Sequence, residues 1–166
     1  VVSDNPGNKQ LYVFKPQLTA YETVYSSFFY AEKKFTEIPE LRGGIVSSYR
    51  LINQQEFILV FHSVPFGPFY WTNDQKTYLS FEDKGLSPSD IIIDIHGNQH
   101  VIGSKLVGVN NSPQRDKYYI NGLLQSFDLT GWSNIDFRRI EYVNSEIHII
   151  GLAYNNIGMR YIFDYS

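Results

Sequence analysis

The stretch DFRRIEYVNSEIHIIG, residues Asp136–Gly151, decides the fold of this chain. It alternates apolar and polar residues up to Asn144-Ser145 and then resumes with an apolar run at 147–150. Asparagine tolerates the positive φ of tight hairpin turns, and apolar runs on both sides of such a turn are the standard hairpin signal. The stretch therefore predicts a β-hairpin that turns at Asn144.

Weaker copies of this plan lie upstream, each around an asparagine. They are found at Pro6–Phe14, Tyr49–Phe61 and Ile91–Gly103. The turn asparagines follow one another at intervals of 45, 45 and 46 residues: Asn8, Asn53, Asn98 and Asn144. A fixed period of this length indicates a repeat architecture.

Each complete period offers four short predicted strands. The second unit has them near Ile45–Ile52, Glu56–His62, Pro68–Thr72 and Thr77–Phe81, and the third unit begins with a strand at Asp90–His96. Four antiparallel strands at a period of about 40 to 50 residues are typical of a β-propeller blade. One small sheet cannot cover both its faces, and stacked neighbours supply the missing cover.

We therefore predict an all-β fold, a propeller-like array of about four short antiparallel blades in one domain, 1–166. The predicted units are 1–44, 45–89, 90–135 and 136–166. The first unit lacks most of its first strand and the fourth ends after its third. The chain is then a fragment of a larger propeller, or its two ends share a blade. A β-sandwich, which also uses short strands at regular spacing, is the alternative fold.

Composition supports the fold class and excludes several functions. Aromatic residues make up 16 % of the chain, and aromatic enrichment fits half-buried strands. The net charge of -3 gives no electrostatic reason to expect nucleic acid. The absence of cysteine excludes disulfides and cysteine-ligated zinc, and no apolar run is long enough to insert into a membrane. No cofactor fingerprint is present, so we expect no cofactor and no metal.

Thr72-Asn-Asp74-Gln-Lys76-Thr77-Tyr78 resembles the Asp-box of sialidase-type propellers, Ser/Thr-x-Asp-x-Gly-x-Thr-Trp. Ser126–Trp132 is similar with its glycine displaced, and Tyr25–Phe35 occupies the same place in the first unit without the aspartate. The resemblance implies a structural hairpin between the third and fourth strands of a blade. The richness in Asn, Tyr and Ile also resembles repeats of bacteriophage tail fibres and receptor-binding proteins.

The longest predicted loops join second to third strands, and such loops on a rigid scaffold commonly carry binding function. The loop Gly108–Tyr118 combines planar amides, a guanidinium and rings, which suit a hydroxyl-rich ligand such as a glycan. The candidate ligand-binding residues are Asn110, Asn111, Gln114, Arg115, Tyr118 and Trp132. An ordinary polar surface loop is the alternative interpretation of this segment.

Three functions remain open from the sequence. The first is a non-enzymatic binding or adhesion module that recognises a cell-surface glycan or protein, on a virion or outside the cell. The second is a structural platform that forms a homo-oligomer. The third is a fragment of a sialidase-like glycoside hydrolase, which would need arginines such as Arg42, Arg50 and Arg138 to cluster around a substrate carboxylate. No catalytic residue is assigned.

Overall fold

The computed structural model describes residues 10–14, 26–31, 34–41, 44–52, 55–61, 67–82, 86–105, 116–127 and 130–165. These ranges contain β-strands and a single 3-10 turn at Pro39–Leu41, and no α-helix. The all-β prediction is therefore confirmed. The chain divides into two compact units, Val1–Leu79 and Ser80–Ser166. In the described part of the chain, no helix is long and apolar enough to span a membrane.

Unit 1 contains two antiparallel sheets. Sheet A is formed by β1 (Gln10–Phe14), β2 (Ser26–Ala31) and β3 (Lys34–Glu37). Sheet B is formed by β4 (Ile45–Ile52), β5 (Gln55–Phe61), β6 (Phe69–Thr72) and β7 (Gln75–Tyr78). Both sheets are meanders in which strands adjacent in sequence pair with each other.

Unit 2 repeats this plan. Sheet C is formed by β8 (Leu86–Ile93), β9 (Gln99–Lys105), β10 (Lys117–Ile120) and β11 (Leu123–Gln125). Sheet D is formed by β12 (Trp132–Val143), β13 (Glu146–Asn155) and β14 (Arg160–Tyr165). The four sheets follow the predicted period, while their arrangement around a common axis stays a prediction.

The hairpin that opened the sequence argument forms as expected. β12 pairs with β13 through the two-residue turn Asn144-Ser145, and both turn residues have positive φ, 50° and 69°. Such a primed turn matches the right-handed twist of the flanking strands. Asn98 lies in the corresponding hairpin of sheet C, whereas Asn8 and Asn53 fall outside the described residues.

Several strand boundaries differ from the prediction, and two of these differences have a local cause. β8 begins at Leu86 rather than Asp90, because Pro88 lies on an edge strand, where its missing N–H costs no ladder hydrogen bond. β7 covers Gln75–Tyr78 rather than Thr77–Phe81, because the turn before it is only two residues long, Asn73-Asp74, with φ of 48° and 59°.

The Asp-box-like segments occupy different places. Thr72–Tyr78 forms the hairpin between the third and fourth strands of sheet B, as the resemblance implies. Ser126–Trp132 instead connects β11 to β12, so it is not a third-to-fourth-strand hairpin. Tyr25–Phe35 contains β2 and the start of β3, and its residues 25, 32 and 33 are outside the described part.

A β-bulge recurs in the first strand of three sheets. The register shifts fall at Val46/Ser48 in sheet B, Pro88/Asp90 in sheet C and Phe137/Arg139 in sheet D. Opposite the last two bulges the second strand carries a glycine, Gly103 or Gly151. A Cβ on either glycine would lie 2.4 Å from a backbone carbonyl oxygen of the bulged strand.

The core of unit 1 lies between sheet B and the 3-10 turn. Tyr49, Ile58 and Trp71 from the sheet pack with Ile38 and Leu41. These rings and branched chains come from one face of the strands, where every second residue points the same way. The 3-10 turn thus covers the sheet with two aliphatic side chains.

The core of unit 2 lies between sheets C and D. Asp90 of β8 is buried, and its Oδ2 accepts a hydrogen bond from the backbone N–H of Ile140 in β12, at 3.0 Å. Phe127 contacts Tyr118 of sheet C on one side and Phe137 of sheet D on the other. Burying a carboxylate requires such a partner, so Asp90 fixes the register of one sheet on the other.

Candidate functional site

The sequence-predicted ligand loop is only partly described. Asn110, Asn111, Gln114 and Arg115 lie outside the described residues. Tyr118 and Trp132 are described, and they lie in different environments: Tyr118 is 7 % exposed within β10, whereas Trp132 is half-buried at the first position of β12. Tyr118 is thus a buried side chain rather than the exposed ring that a surface loop would present, and its role in ligand binding stays a prediction.

Tyr118 belongs to a buried polar chain on sheet C. Its phenol oxygen is 2.5 Å from Nδ1 of His100, and Nε2 of His100 is 3.2 Å from Oδ2 of Asp94. An ionised carboxylate only accepts hydrogen bonds, so the Nε2 of His100 carries a hydrogen and donates a hydrogen bond to Asp94. In the neutral imidazole Nδ1 then accepts the hydrogen of the Tyr118 phenol. All three polar groups are satisfied within the protein.

Asp94 is held ionised by its surroundings. Burial acts to raise its pKa, but hydrogen bonds from Asn98, from His100 and from the backbone N–H of His96 outweigh burial and hold the pKa well below its usual range. Its Oδ1 accepts from the N–H groups of His96 and Asn98, both at 2.8 Å. Asp94 therefore closes the turn between β8 and β9 and orients His100 at the same time.

The chain of Asp94, His100 and Tyr118 is a structural network rather than a nucleophilic site. Burial, with the negative charge of Asp94 next in importance, raises the pKa of Tyr118 to about 12. A phenol with that pKa stays protonated at neutral pH, and an activated nucleophile needs the opposite shift. Through one imidazole, the network joins the β8–β9 turn to the strands β9 and β10.

Equivalent pairs occupy the same place in the other sheets. In sheet B, Phe57 occupies the position that His100 has in sheet C. It contacts Tyr70 of the third strand diagonally across the ladder, with ring centroids 5.9 Å apart. In sheet D, Nδ1 of His148 lies 3.2 Å from Oδ1 of Asp164. His100 and His148 thus occupy the same position in the second strands of their sheets.

The surface candidate is the end of sheet D where Trp132 begins β12. Trp132 lies opposite Asn155, the last residue of β13. The Trp132 ring meets the Tyr161 ring edge to face, with centroids 5.4 Å apart and planes at 76°. Tyr161 is 41 % exposed, and its hydroxyl lies 3.9 Å from the Met159 sulfur. We call Trp132, Tyr161, Met159 and Ile157 the aromatic end of sheet D.

The loop at this end has a defined geometry. Asn155 Oδ1 accepts hydrogen bonds from the N–H groups of Ile157 and Met159, and Gly158 adopts a φ of 80°. Asp94, with Gly97 at a φ of 83°, forms the same five-residue turn in sheet C. Each turn exposes its middle side chains, so Ile157 is presented to solvent by a rigid connection.

Asp116, the first described residue after segment 106–115, contacts the same strand β12. Its N–H donates to the Ile135 carbonyl at 3.4 Å, and its Oδ2 accepts from the Phe137 N–H. Burial, reinforced by the negative charge of Asp136, raises the pKa of Asp116 to about 6. Trp132 lies three residues before Ile135 in β12. The end of the predicted ligand loop is thereby anchored to the strand that begins with Trp132.

Sequence reasoning missed Tyr161, Met159 and Ile157. The pattern Asp/Asn-x-x-Gly occurs at 4–7, 94–97, 128–131 and 155–158, and the structure shows the same turn at 94–97 and 155–158. Pairing of Trp132 with Tyr161 has no such signal, because it depends on the register of β13 with β14.

Metal binding and sialidase-type hydrolysis are the two other chemistries to compare with the described part of the chain. No group of three His, Cys, Asp or Glu residues could hold a metal ion there. Arg138 and Arg139 are exposed and pair with Asp136 and Glu141 of their own strand. Arg42 lies outside the described residues, so the arginine cluster of a sialidase stays untested.

Comparison with known proteins gives no assignment. The chain matches no family model, and neither the curated proteins nor the solved structures compared with it provide a match.

Proposed function

We propose that this chain is a non-enzymatic binding module that recognises a cell-surface glycan or protein, of the tail-fibre or receptor-binding type. The aromatic end of sheet D is the proposed contact surface, and Asn110, Asn111, Gln114 and Arg115 stay candidate ligand-binding residues from the sequence. We propose further that the four sheets form a propeller-like array, with a β-sandwich as the alternative.

The observation that carries this proposal is the ring pair of Trp132 and Tyr161. Single exposed apolar side chains are normal on a protein surface, whereas a cluster of them indicates an interaction site. Here two aromatic rings are joined by Met159, 53 % exposed, and Ile157, 79 % exposed, at one end of one sheet. Aromatic residues with a polar tip and an apolar body are enriched where proteins bind partners.

The chemistry fits a carbohydrate with flanking polar recognition. The apolar face of a sugar ring stacks on an aromatic ring, and its hydroxyls need planar amides or a guanidinium as hydrogen-bond partners. The candidate residues Asn110, Asn111, Gln114 and Arg115 carry groups of these types. The rigid turn at Asn155 keeps the ordering cost of binding low.

A glycan array and binding to intact cells test the proposal. Trp132→Ala and Tyr161→Ala should each weaken binding at least about tenfold, since truncating an aromatic hot-spot residue commonly costs 2 kcal/mol or more. Tyr78→Ala is the matched control, because Tyr78 is 56 % exposed and lies in unit 1. Folded wild-type protein that binds neither glycans nor cells would refute the proposal, as would equal losses in all three variants.

A structural or oligomerisation role is the second candidate, and one observation favours it. Sheet D exposes apolar side chains on its strand β14, above all Ile162 at 86 %. This role predicts that binding assays stay negative while the protein self-associates.

A further inference from the structure

The turn between β10 and β11 contains Asn121-Gly122, the one Asn-Gly pair of the sequence. In such a pair the backbone nitrogen of the glycine can attack the side-chain amide carbon of the asparagine, because glycine has no Cβ to obstruct the approach. A bond forms between that nitrogen and that carbon, the bond from the carbon to Nδ2 breaks, and ammonia leaves with the proton of the glycine nitrogen. Water then opens the resulting succinimide to aspartate or isoaspartate.

The geometry of this turn calls for the reactive pair. Ile120 pairs with Leu123 directly across the turn, and Asn121 and Gly122 have φ of 50° and 83°. Positive φ at both central positions is the type I′ geometry, for which Asn-Gly is a preferred sequence. The residues that suit the turn best are therefore also residues whose side chain and backbone nitrogen react with each other.

The side chain of Asn121 is held by the turn between β8 and β9. Its Oδ1 accepts a hydrogen bond from the Gln99 N–H, and its Nδ2 donates to Asn98 Oδ1, both at 2.9 Å. Departure of Nδ2 as ammonia breaks the bond to Asn98. Movement of the amide carbon towards the Gly122 nitrogen withdraws Oδ1 from Gln99. Both hydrogen bonds therefore oppose succinimide formation.

Asp94 determines which atom Asn98 turns towards Asn121. The Nδ2 of Asn98 donates to Asp94 Oδ2 at 2.8 Å, so its Oδ1 is left to accept from Asn121. An ionised carboxylate only accepts hydrogen bonds, so the Asn98 amide keeps its Nδ2 towards Asp94. Asn121 consequently keeps its Nδ2 towards Asn98 and its Oδ1 towards the Gln99 N–H. We call Asp94, Asn98, Gln99 and Asn121 the amide clamp.

The glycine of the pair is restrained from its other side by the start of unit 2. A Cβ on Gly122 would lie 2.2 Å from the Ser80 carbonyl oxygen, so the two backbones are in close contact. The Glu82 N–H donates to the Gly122 carbonyl at 3.1 Å, and Glu82 Oε2 accepts from the Leu124 N–H at 3.1 Å. These contacts oppose the rotation of the Asn121-Gly122 peptide that ring closure requires.

We propose that Asn121 is a deamidation site that the amide clamp keeps unreactive in the folded chain. An aspartate at position 121 has no side-chain hydrogen to donate to Asn98 Oδ1 when ionised. Isoaspartate adds one carbon to the backbone of a turn that is only two residues long. Neither product rebuilds the clamp, so the modification persists after refolding. The clamp lies within unit 2 and does not depend on the ligand proposed for the aromatic end.

Peptide mapping by mass spectrometry, after incubation at mildly alkaline pH, measures deamidation at Asn121. The folded wild-type chain should react at least about tenfold more slowly than the same chain unfolded in urea. Asn98→Ala should accelerate the reaction of the folded chain at least about fivefold, because it removes one of the two hydrogen bonds that oppose it. Gly151→Ala is the matched control: its Cβ strains sheet D, whereas the clamp belongs to sheet C and its turns, so the wild-type rate should be kept.

Three results would overturn the proposal. They are equal rates for the wild-type chain in buffer and in urea, an Asn98→Ala rate equal to that of the wild type, and equal acceleration by Asn98→Ala and Gly151→Ala. If circular dichroism shows that Asn98→Ala is unfolded, Asn98→Ser takes its place, since serine is common in turns and its shorter side chain withdraws the acceptor from Asn121. The expected acceleration is again at least about fivefold, and an unchanged rate would reject the clamp.

Discussion

The glycine opposite the bulge of sheet C offers a sharp test of the repeat. In Gly103→Ala the new Cβ would lie 2.4 Å from the Ser87 carbonyl oxygen and 2.8 Å from the Pro88 Cα. Both neighbours are backbone atoms, so no rotamer change can relieve the contact. The bulged strand β8 has to move, and with it Asp90, whose carboxylate holds Ile140 of sheet D.

The size of the effect follows from two opposing contributions. Overpacking a closely fitted site typically costs about 1 to 3 kcal/mol, and a clash with backbone belongs in the upper half of that range. Replacing glycine by alanine also removes flexibility from the unfolded chain, which stabilises by about 0.4 to 1 kcal/mol. We therefore expect Gly103→Ala to lower the free energy of unfolding by about 2 kcal/mol.

Gly158→Ala is the matched control within the same unit. A Cβ at Gly158 would meet nothing within 4 Å, and the substitution is strained only by the φ of 80°. The left-handed conformation costs a non-glycine residue roughly 1 to 2 kcal/mol, partly offset by the unfolded-state term. Gly158→Ala should lower the free energy of unfolding by about 0.5 to 1 kcal/mol, clearly less than Gly103→Ala does.

Urea unfolding followed by tryptophan fluorescence measures both, with Trp132 as the reporter in unit 2 and Trp71 as the reporter in unit 1. Gly151→Ala provides the repeat test, because its Cβ would lie 2.4 Å from the Asp136 carbonyl oxygen. It should lose the same free energy as Gly103→Ala within about 0.5 kcal/mol. Equal stability of Gly103→Ala and Gly158→Ala would refute the reasoning from the close contact.

Three further predictions concern the polar network and Asp116. By urea unfolding, Asp94→Asn should lower the free energy of unfolding by about 1 kcal/mol and Asp94→Ala by about 2 to 3 kcal/mol, because Asn155 shows that asparagine can close the same turn. Folding lowers the pKa of Asp94, so the stability that its carboxylate contributes should be present above about pH 4 and fade as the pH falls. Tyr118→Phe should cost about 1 to 2 kcal/mol by leaving His100 Nδ1 unpaired, and it should leave glycan binding unchanged. Folding raises the pKa of Asp116 to about 6, so between about pH 4 and 6 the folded chain retains a proton that the unfolded chain releases. The free energy of unfolding should therefore fall as the pH rises through that window. Asp116→Asn, which keeps an acceptor for the Phe137 N–H, should abolish this decline.

Much of the fold could be predicted from the sequence because its signals are local. The turn at Asn144-Ser145 needs residues that accept positive φ, and the sequence around it alternates with the period of a strand. The strand that contains Pro88 could not be predicted in the same way, since proline is tolerated there only because β8 is an edge strand. Edge position is a property of the sheet, and the segment itself does not encode it.

The candidate site was harder to predict for the same reason. Tyr118 follows a polar loop and was expected at the surface, yet its phenol reaches His100, eighteen positions earlier in the chain. That contact requires β10 to pair with β9 in one register, because a slip by one residue would turn Tyr118 to the other side of the sheet. Trp132 and Tyr161 likewise meet through β13, which pairs with both of their strands.

The comparison of sheets C and D shows how one local pattern leads to two different surfaces. VIGS at 101–104 and IIGL at 149–152 place a glycine opposite the first-strand bulge and an isoleucine before it. Ile102 is buried by the next sheet, whereas Ile150 borders the exposed Ile162. The apolar residues of a sheet face determine what that face can bind, and the neighbouring sheet determines whether the face is covered. The most informative surfaces of a repeat chain are therefore those where an apolar residue is exposed although its counterpart in another repeat is buried. The side of sheet D that carries Ile150 is such a surface, because Ile162 on the neighbouring strand is 86 % exposed.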